Sequence, residues 1–251
     1  MRPFYNLAVR IMENDNLSDE IPVITVDGPS GVGKGTVSFL LAQLMDWHLL
    51  ESGTLYRALA LAAKQRGVGL NDEAALSYIA TYLDVAFIAP KKGERARVLL
   101  EGQDCTDTIC TENVATNASQ VSKFDQVRQA LLQRQRDFRQ PPGLIAEGRD
   151  MGTVVFPDAQ IRFFMIASVQ ERARRRFKQL KEKGINVTME SLKAEIAERD
   201  ERDQNRSVAP LQPADDAIMI DTTGLSVEEV MMRIKTEINE VINIEWPDDL
   251  P

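Results

Sequence analysis

The stretch Val23–Leu41, VITVDGPSGVGKGTVSFLL, restricts the possible fold more than any other part of the chain. An apolar run, Val23–Val26, enters a glycine-dense turn, and the turn feeds an amphipathic run from Lys34 to Met45. The order is strand, loop, helix. The loop reads G-x-x-x-x-G-K-G-T over Gly28, Pro29, Ser30, Gly31, Val32, Gly33, Lys34, Gly35 and Thr36. Glycines let the backbone turn tightly, so that successive N–H groups face phosphate oxygens. A helix starting near Lys34 presents its unpaired N–H groups and positive dipole end to the same oxygens. Lys34 can reach the β- and γ-phosphates, and a hydroxyl can hold Mg²⁺. Here that hydroxyl is Thr36, one place later than in the common pattern, because Gly35 follows the lysine. A glycine turn without a ligand is the alternative; the strand before and the helix after favour nucleotide phosphates.

The rest of the chain alternates strands and helices. His48–Glu51 reads as a short strand that stops at Ser52-Gly53, with a helix from about Thr54 that Gly67 ends. Asn71–Leu83 reads as a short helix. Val85–Ala89 and Arg97–Gly102 read as two strands joined by the turn-rich link PKKGERA. A hairpin inside a strand-helix-strand chain suggests an inserted α+β subdomain over residues 68–117. Ala118–Arg139 reads as one helix with an apolar stripe at Val121, Phe124, Val127 and Leu131. After Pro141-Pro142-Gly143, Leu144–Ala146 is a short buried strand ending in Glu147-Gly148-Arg149-Asp150. Ile161–Ala167 is the near-continuous apolar run of an interior parallel strand. Val169–Lys183 and Met189–Arg206 are charged helices, and Ala217–Asp221 is a last strand. Ser226 to Ile244 is a closing helix opened by the capping box Ser226-x-x-Glu229. Such alternation predicts a parallel sheet covered on both faces, with ligands beyond the carboxyl ends of its strands. The loops after the first, second and third strands then share one rim.

Composition narrows the function. The chain has 251 residues, room for one large domain with a smaller insert. Its net charge of −8 argues against a nucleic-acid polymer as the main partner. No run approaches the ~18 apolar residues of a membrane span. The first 20 residues lack a signal peptide's apolar core and read as a polar, mobile extension, with Met12 as a possible alternative start. Two cysteines, Cys105 and Cys110, are too few for a disulfide framework and read as structural thiols. The single histidine, His48, lies in the apolar run WHLL and reads as packed or hydrogen-bonded. The expected location is cytoplasmic.

Four further groups of polar residues invite chemistry. Ser52 and Arg57 lie about one turn apart at a helix start, where a guanidinium can clamp a second anion. Glu147-Gly148-Arg149-Asp150 puts opposite charges at the end of a buried strand, an expensive place for charge unless it is paired or used. Arg199, Asp203 and Arg206 share a helix face, although the repeat ERD-ERD taken alone reads as a solvated, self-paired surface. Arg172, Arg174, Arg175 and Arg176 suit either a phosphate lid or a solvated basic face.

The segments DGPSGVGKGT (27–36), SGTLYR (52–57), NASQVS (117–122), AEGRDMGTVVFPDA (146–159), ERARRR (171–176) and ERDERDQNRSVAPL (198–211) together resemble the bacterial cytidylate kinases, a nucleoside monophosphate kinase family. They fall in matching order from Val23 to Leu225. The resemblance implies an α/β P-loop three-layer fold. Its central parallel sheet would form a core of residues 21–67 and 118–251, with a small α+β monophosphate-binding insert at 68–117 and a short helical lid at about 172–206. It implies transfer of the γ-phosphate of ATP to CMP or dCMP with Mg²⁺, by a monomer. Residues Gly28–Thr36 would wrap the ATP phosphates, with Lys34 bridging and Thr36 near the metal. Arg57 and Arg149 would hold the acceptor phosphate, and Lys34, Arg57, Arg149 and Arg206 would serve catalysis. Ser119, Arg128 and Asp150 would read the cytosine edge; Arg199 and Asp203 would meet the sugar, with Ser52 and Arg206 nearby. Arg175 and Arg176 would belong to the lid over ATP. Tyr56 lies in a matched segment without an assigned role. Glu51 stands where the family pattern has Asp, and the first 20 residues have no counterpart in it.

Two rival readings remain at this point. A kinase of a small hydroxyl metabolite, such as shikimate or gluconate, needs a carboxylate to take the hydroxyl proton, and Asp27 or Asp150 could be recruited. A non-catalytic nucleotide-binding module would need Lys34 but not the acceptor arginines.

Overall fold

The computed structural model describes residues 21–88, 97–182, 184–206, 208–242, 244 and 246. The polar extension at 1–20, Ala89 and the whole link PKKGERA between the two insert strands, Lys183 and the tail beyond 246 lie outside the described residues. The chain divides into two compact units: one is formed by the described residues up to Leu50 and from Phe138 onward, the other by Glu51–Asp137.

The first unit is built on a five-stranded sheet. Its strands are β1 (Val23–Asp27), β2 (His48–Glu51), β6 (Leu144–Gly148), β7 (Ile161–Ile166) and β8 (Ile218–Asp221), in the order β2-β6-β1-β7-β8. β1 runs parallel to both β6 and β7, and β7 runs parallel to β8. Every residue of β1 is buried, the polar Thr25 and Asp27 included, as in a sheet covered on both faces. Helices α1 (Lys34–Met45) and α9 (Val227–Val241) lay Val37, Leu41 and Leu44, and Val230, Ile234 and Ile238, on Ile24, Val26, Phe163 and Met165. The α9 residues recur every four positions, one stripe of a helix. Its capping box is formed: Glu229 N–H donates to Ser226 Oγ at 3.2 Å, and Ser226 N–H donates to Glu229 Oε2 at 2.8 Å. The helix stops at Val241 rather than reaching Ile244. Ile242 is extended (φ −128°, ψ 119°), and Ile242 and Ile244 are both buried in this core. Positions two apart share a face only in extended chain.

The second unit holds α2 (Ser52–Gln65), α3 (Glu73–Thr81), β3 (Val85–Ile88), β4 (Arg97–Leu100), β5 (Gln103–Asp104), α4 (Thr106–Ile109), α5 (Glu112–Val121) and α6 (Asp125–Arg136). The expected hairpin is present, with Val85 opposite Leu100 and Ile88 opposite Arg97. A third strand, β5, joins it after Glu101 and Gly102, both with positive φ (51° and 76°), as a primed hairpin turn requires. The unit is wider than residues 68–117. Ala58, Leu59 and Ala62 of α2 and Val127 and Leu131 of α6 share one core with Leu76, Ile79, Leu83 and Leu100.

The single helix expected over Ala118–Arg139 is two. Ser122 Oγ donates to the Ser119 carbonyl at 3.1 Å, a local bond that competes with helix propagation. Phe124 is extended (φ −84°, ψ 128°) and its carbonyl accepts from Arg128 N–H at 3.1 Å, so the residue expected inside one helix starts another.

Candidate active site

β1 delivers the glycine loop. Gly28 has φ 144°, and a Cβ there would lie 2.2 Å from the Met165 carbonyl oxygen on neighbouring β7, so only glycine fits. Gly31 (φ 80°) and Gly33 (φ 102°) complete the turn through Pro29, Ser30 and Val32. Gly33 caps α1 without a side-chain hydrogen bond, so the first N–H groups of the helix, from Lys34 through Gly35 and Thr36, carry no side-chain cap. That leaves them to an anion. Lys34 is buried, folded back so that Nζ donates to the Pro29 carbonyl at 2.8 Å and lies 3.4 Å from Glu147 Oε1. Burial, then the positive charge of Arg149, pull the Lys34 ammonium down to about 7 against the opposing pull of Glu147.

β6 delivers the second loop. Gly148 pairs with Asp27, so the loops after β1 and β6 leave from adjacent strand ends on one edge of the sheet. Past Arg149 and Asp150 the chain makes one π-helical turn, Met151–Val155. The Asp150 carbonyl accepts from Val154 and Val155 N–H at 2.9 and 3.2 Å, and the Met151 carbonyl accepts from Phe156 N–H at 2.7 Å. The turn was not foreseen. Its anchor is the buried Asp27 carboxylate, which accepts from Met151 N–H at 2.9 Å and Gly152 N–H at 2.8 Å. Burial raises the Asp27 pKa to about 7, against the lowering effect of those two N–H groups, and the nearby Asp150 adds to the rise. A Cβ at Gly152 would lie 2.9 Å from Thr25 Oγ1, so the turn packs directly on β1.

Helix α8 (Met189–Gln204) supplies Asp203, the carboxylate partner of Arg149, and ends before Arg206, which was expected on the same helix. Arg149 Nε donates to Asp203 Oδ2 at 2.8 Å, and Arg206 pairs with the other oxygen, Oδ1. Asp203 is 1% exposed. Burial alone would raise its pKa, but Arg149, Arg206 and Arg199 hold it below the ordinary carboxylate range. The ERD run that resembled a solvated surface is therefore two-sided. Glu198 and Arg202 face water, while Asp203 faces inward and collects arginines.

Helix α7 (Val169–Glu182) lies under the glycine loop. Arg175 donates to the Val32 carbonyl at 3.0 Å and to Thr222 Oγ1 at 3.2 Å and the Thr222 carbonyl at 2.5 Å. Glu171 accepts from Arg174 and Arg175, and those bonds, Arg174's first, draw its carboxyl down to about 2. Arg176 donates to Gln179 on its own helix at 3.3 Å. Arg172, one of the four arginines that suited either a phosphate lid or a solvated basic face, is the most buried of the cluster.

In the second unit, Ser52 is buried at the start of α2, and Arg57 donates to the Ile109 carbonyl at 3.0 Å. Arg128 donates to the Ser122 carbonyl at 3.2 Å, and its guanidinium carbon lies 5.9 Å from the Tyr56 ring centroid, within cation–π range. Ser119 Oγ is buried with no hydrogen-bond partner among the described residues. The break between α5 and α6 thus gathers Ser119 and Arg128, and Tyr56 joins them. His48 is exposed and its Nε2 hydrogen-bonds the Pro141 carbonyl at 3.0 Å, so it is hydrogen-bonded rather than packed. Cys105 is buried and Cys110 exposed, and both are free thiols.

The donor set suits Mg²⁺. Among the described residues no group of three or more His, Cys, Asp or Glu side chains could form a metal cage. An exposed hydroxyl, Thr36, sits in the first turn of α1 beside the glycine loop. Mg²⁺ characteristically takes one or two protein oxygens, substrate phosphates and water.

A family model described as cytidylate kinase matches residues 24–240. A cytidylate kinase of Pseudomonas entomophila (strain L48) is 56% identical over 222 residues, covering 88% of this chain and 97% of the relative. A cytidylate kinase of Shewanella denitrificans is 52% identical over 227 residues, covering 90% and 100%. One of Stutzerimonas stutzeri is 56% identical over 218 residues, covering 87% and 95%.

Proposed function

The chain belongs to the cytidylate kinase family, and from that premise we propose how its residues divide the work of phosphorylating CMP. The reaction takes the γ-phosphate of ATP to CMP or dCMP, giving ADP and CDP or dCDP. Gly28–Thr36 and Lys34 hold the donor phosphates. In the unit built on the parallel sheet, Arg149 and Arg206 neutralise the acceptor phosphate, Asp150 accepts from the cytosine amine, and Arg199 and Asp203 serve the sugar. In the Glu51–Asp137 unit, Arg57 is assigned to the phosphate, Ser119 and Arg128 to the cytosine N3 and O2 edge, and Ser52 to the sugar. Arg175 and Arg176 are assigned to ATP. Thr36 would hold Mg²⁺, which when bound neutralises phosphate charge. The enzyme is proposed to act in the cytoplasm as a monomer without a nucleic-acid partner. No described helix is long and apolar enough to cross a membrane.

The chemistry needs no general base. A monophosphate's second pKa is about 6, so the attacking oxygen is already mostly unprotonated at neutral pH. The barrier is charge crowding and alignment, which fixed N–H groups, Lys34 and arginines lower. One observation supports this reading most: Arg149 and Arg206 are both held by the buried Asp203, and Arg149 leaves the sheet next to the strand that carries the glycine loop. A hydroxyl-metabolite kinase fits less well, because a neutral acceptor would leave the two arginines held by Asp203 without an anion to neutralise. A non-catalytic module would have no use for the arginines around Asp203.

The test is ADP release with CMP, dCMP, UMP, AMP and shikimate as acceptors. CMP and dCMP should give the highest kcat/KM. Turnover with shikimate alone, or nucleotide binding without turnover on any acceptor, would replace the reading.

A further inference from the structure

Arg172 is 3% exposed, and its guanidinium makes four hydrogen bonds to three residues. NH1 and NH2 donate to the two oxygens of Asp200 on α8 at 2.9 and 2.5 Å. NH1 also donates to the Ser30 carbonyl in the glycine loop at 3.2 Å, and Nε donates to the Ala167 carbonyl at 3.1 Å. The contact with the loop is close: a Cβ at Gly31 would sit 3.3 Å from Arg172 Cβ. Asp200 lies one helical turn before Asp203, which holds Arg149 and Arg206. Arg149 follows β6, β6 pairs with β1, and β1 runs into the glycine loop. The bonds close a circuit: loop backbone, Arg172, Asp200, α8, Asp203, Arg149, β6, β1 and the loop again.

We propose that Arg172 and Asp200 are positioning residues for phosphoryl transfer, fixing α8, and through Asp203 the direction of Arg149, to the backbone of the phosphate loop. Neither residue is assigned to a substrate. Arginine suits the task because its planar fork binds a carboxylate with two parallel bonds and still has donors left for carbonyls; lysine offers one point charge. With the pair intact, α8 is set by the loop that receives ATP. Without it, α8 keeps its packing on α7 through Ala173, Leu180 and Leu192 but loses its polar tie to the loop. The inference rests on the CMP reading above.

A double-mutant cycle on Arg172→Ala and Asp200→Ala, with Asp200→Asn and Arg172→Lys beside it, tests the proposal. The readouts are KM and kcat for CMP at saturating ATP, and the thermal midpoint of each protein. Each single alanine variant should lower kcat/KM for CMP about tenfold, mainly through KM, as a coupling network of this kind allows. The double variant should be no worse than the poorer single one, and Arg172→Lys should recover only part of the loss. A merely structural role would lower the midpoint and leave KM for CMP unmoved. Asp200→Asn is nearly isosteric at a helix position, so it supplies a folded variant if the alanines do not. Folded variants with KM for CMP within about twofold of the parent, or losses that multiply in the double variant, would overturn the inference while leaving the CMP reading intact. A parent protein that forms no ADP with CMP would sink both.

Discussion

Arg149 and Asp203, 54 positions apart, meet through a 2.8 Å hydrogen bond in which the carboxylate is almost wholly buried. The second oxygen of that carboxylate takes Arg206, so one acid sets the direction of two guanidinium groups. An arginine that must meet a phosphate works best when its rotamer is already chosen, since the entropy of ordering it is then met in folding rather than at binding.

Removing Asp203 should therefore cost more than a surface ion pair would. Asp203→Asn keeps the volume but removes the charge that holds both arginines. Truncating one partner of a buried, hydrogen-bonded charge pair costs on the order of 2–5 kcal/mol. We expect kcat/KM for CMP to fall at least about thirtyfold by that measure, while KM for ATP changes little. Steady-state kinetics with each substrate varied would show it, and an equal rise in both KM values would contradict the assignment.

Lys34 gives a proton-linkage prediction. In the ligand-free protein its ammonium sits at about 7, below the ordinary lysine value, because it is buried beside Arg149. ATP phosphates favour the charged form and raise that value. At pH 8 the free protein holds Lys34 mostly neutral and the complex holds it charged, so ATP binding should take up about one proton. Affinity should accordingly fall as pH rises above 7. Calorimetry in two buffers of different ionisation enthalpy measures the uptake. Lys34→Met should abolish it, and an unchanged uptake in that variant would remove Lys34 from the donor site.

Asp27 should leave a mark of opposite kind on stability. Its folded pKa is about 7, whereas an unfolded aspartate titrates at about 3.9. Between those values the folded state holds a proton that the unfolded state has released, so the contribution of Asp27 to stability falls as pH rises from about 4 to about 7 and is level above that. Asp27→Asn removes the slope. Urea midpoints of parent and variant, compared from pH 4.5 to 7, should converge as pH rises if Asp27 is the source; parallel curves would contradict it. Lys34 acts above this window, where its lowered value makes stability rise with pH toward about 10.

What could be read from sequence follows from how local each signal is. β1 and β7 were legible because strands covered on both faces are mostly apolar, with only Thr25, Asp27 and Arg162 interrupting them, and the glycine loop because its backbone demands fall within nine consecutive residues. The capping box of α9 is equally local. The π-turn at Met151–Val155 is not, since its anchor is Asp27, 124 positions earlier. The break at Ser122–Phe124 carried an ambiguous signal: Phe124 kept the apolar period while its backbone left the helix. Among the four arginines of α7 the sequence cannot say which face meets the loop, and it favoured Arg175 and Arg176 where the fold buries Arg172 deepest and brings Arg175 to the loop. Asp203 was picked out, but its burial and its hold on two arginines depend on how α8 is seated.

Base selectivity should reside in Asp150. A cytosine amine can donate to its carboxylate, whereas uracil would present O4 to it and leave an acceptor facing an acceptor. Mismatched polar groups of this kind discriminate by up to about 10⁴-fold. Asp150→Ala should collapse the ratio of kcat/KM for CMP over UMP more than it lowers turnover with UMP. An unchanged ratio would remove Asp150 from base reading. Arg57→Ala, by contrast, should weaken CMP and UMP alike, and an effect confined to ATP would move Arg57 out of the acceptor site.

The central claim is that a phosphate, not a hydroxyl, accepts the γ-phosphoryl group. Phosphorus NMR of the protein turning over ATP and CMP with Mg²⁺ tests it directly. The account requires ADP and CDP to appear in equal amounts, with the α-phosphorus signal of CMP replaced by the coupled pair of a diphosphate. ADP accompanied by free phosphate, with CMP unchanged, would contradict it.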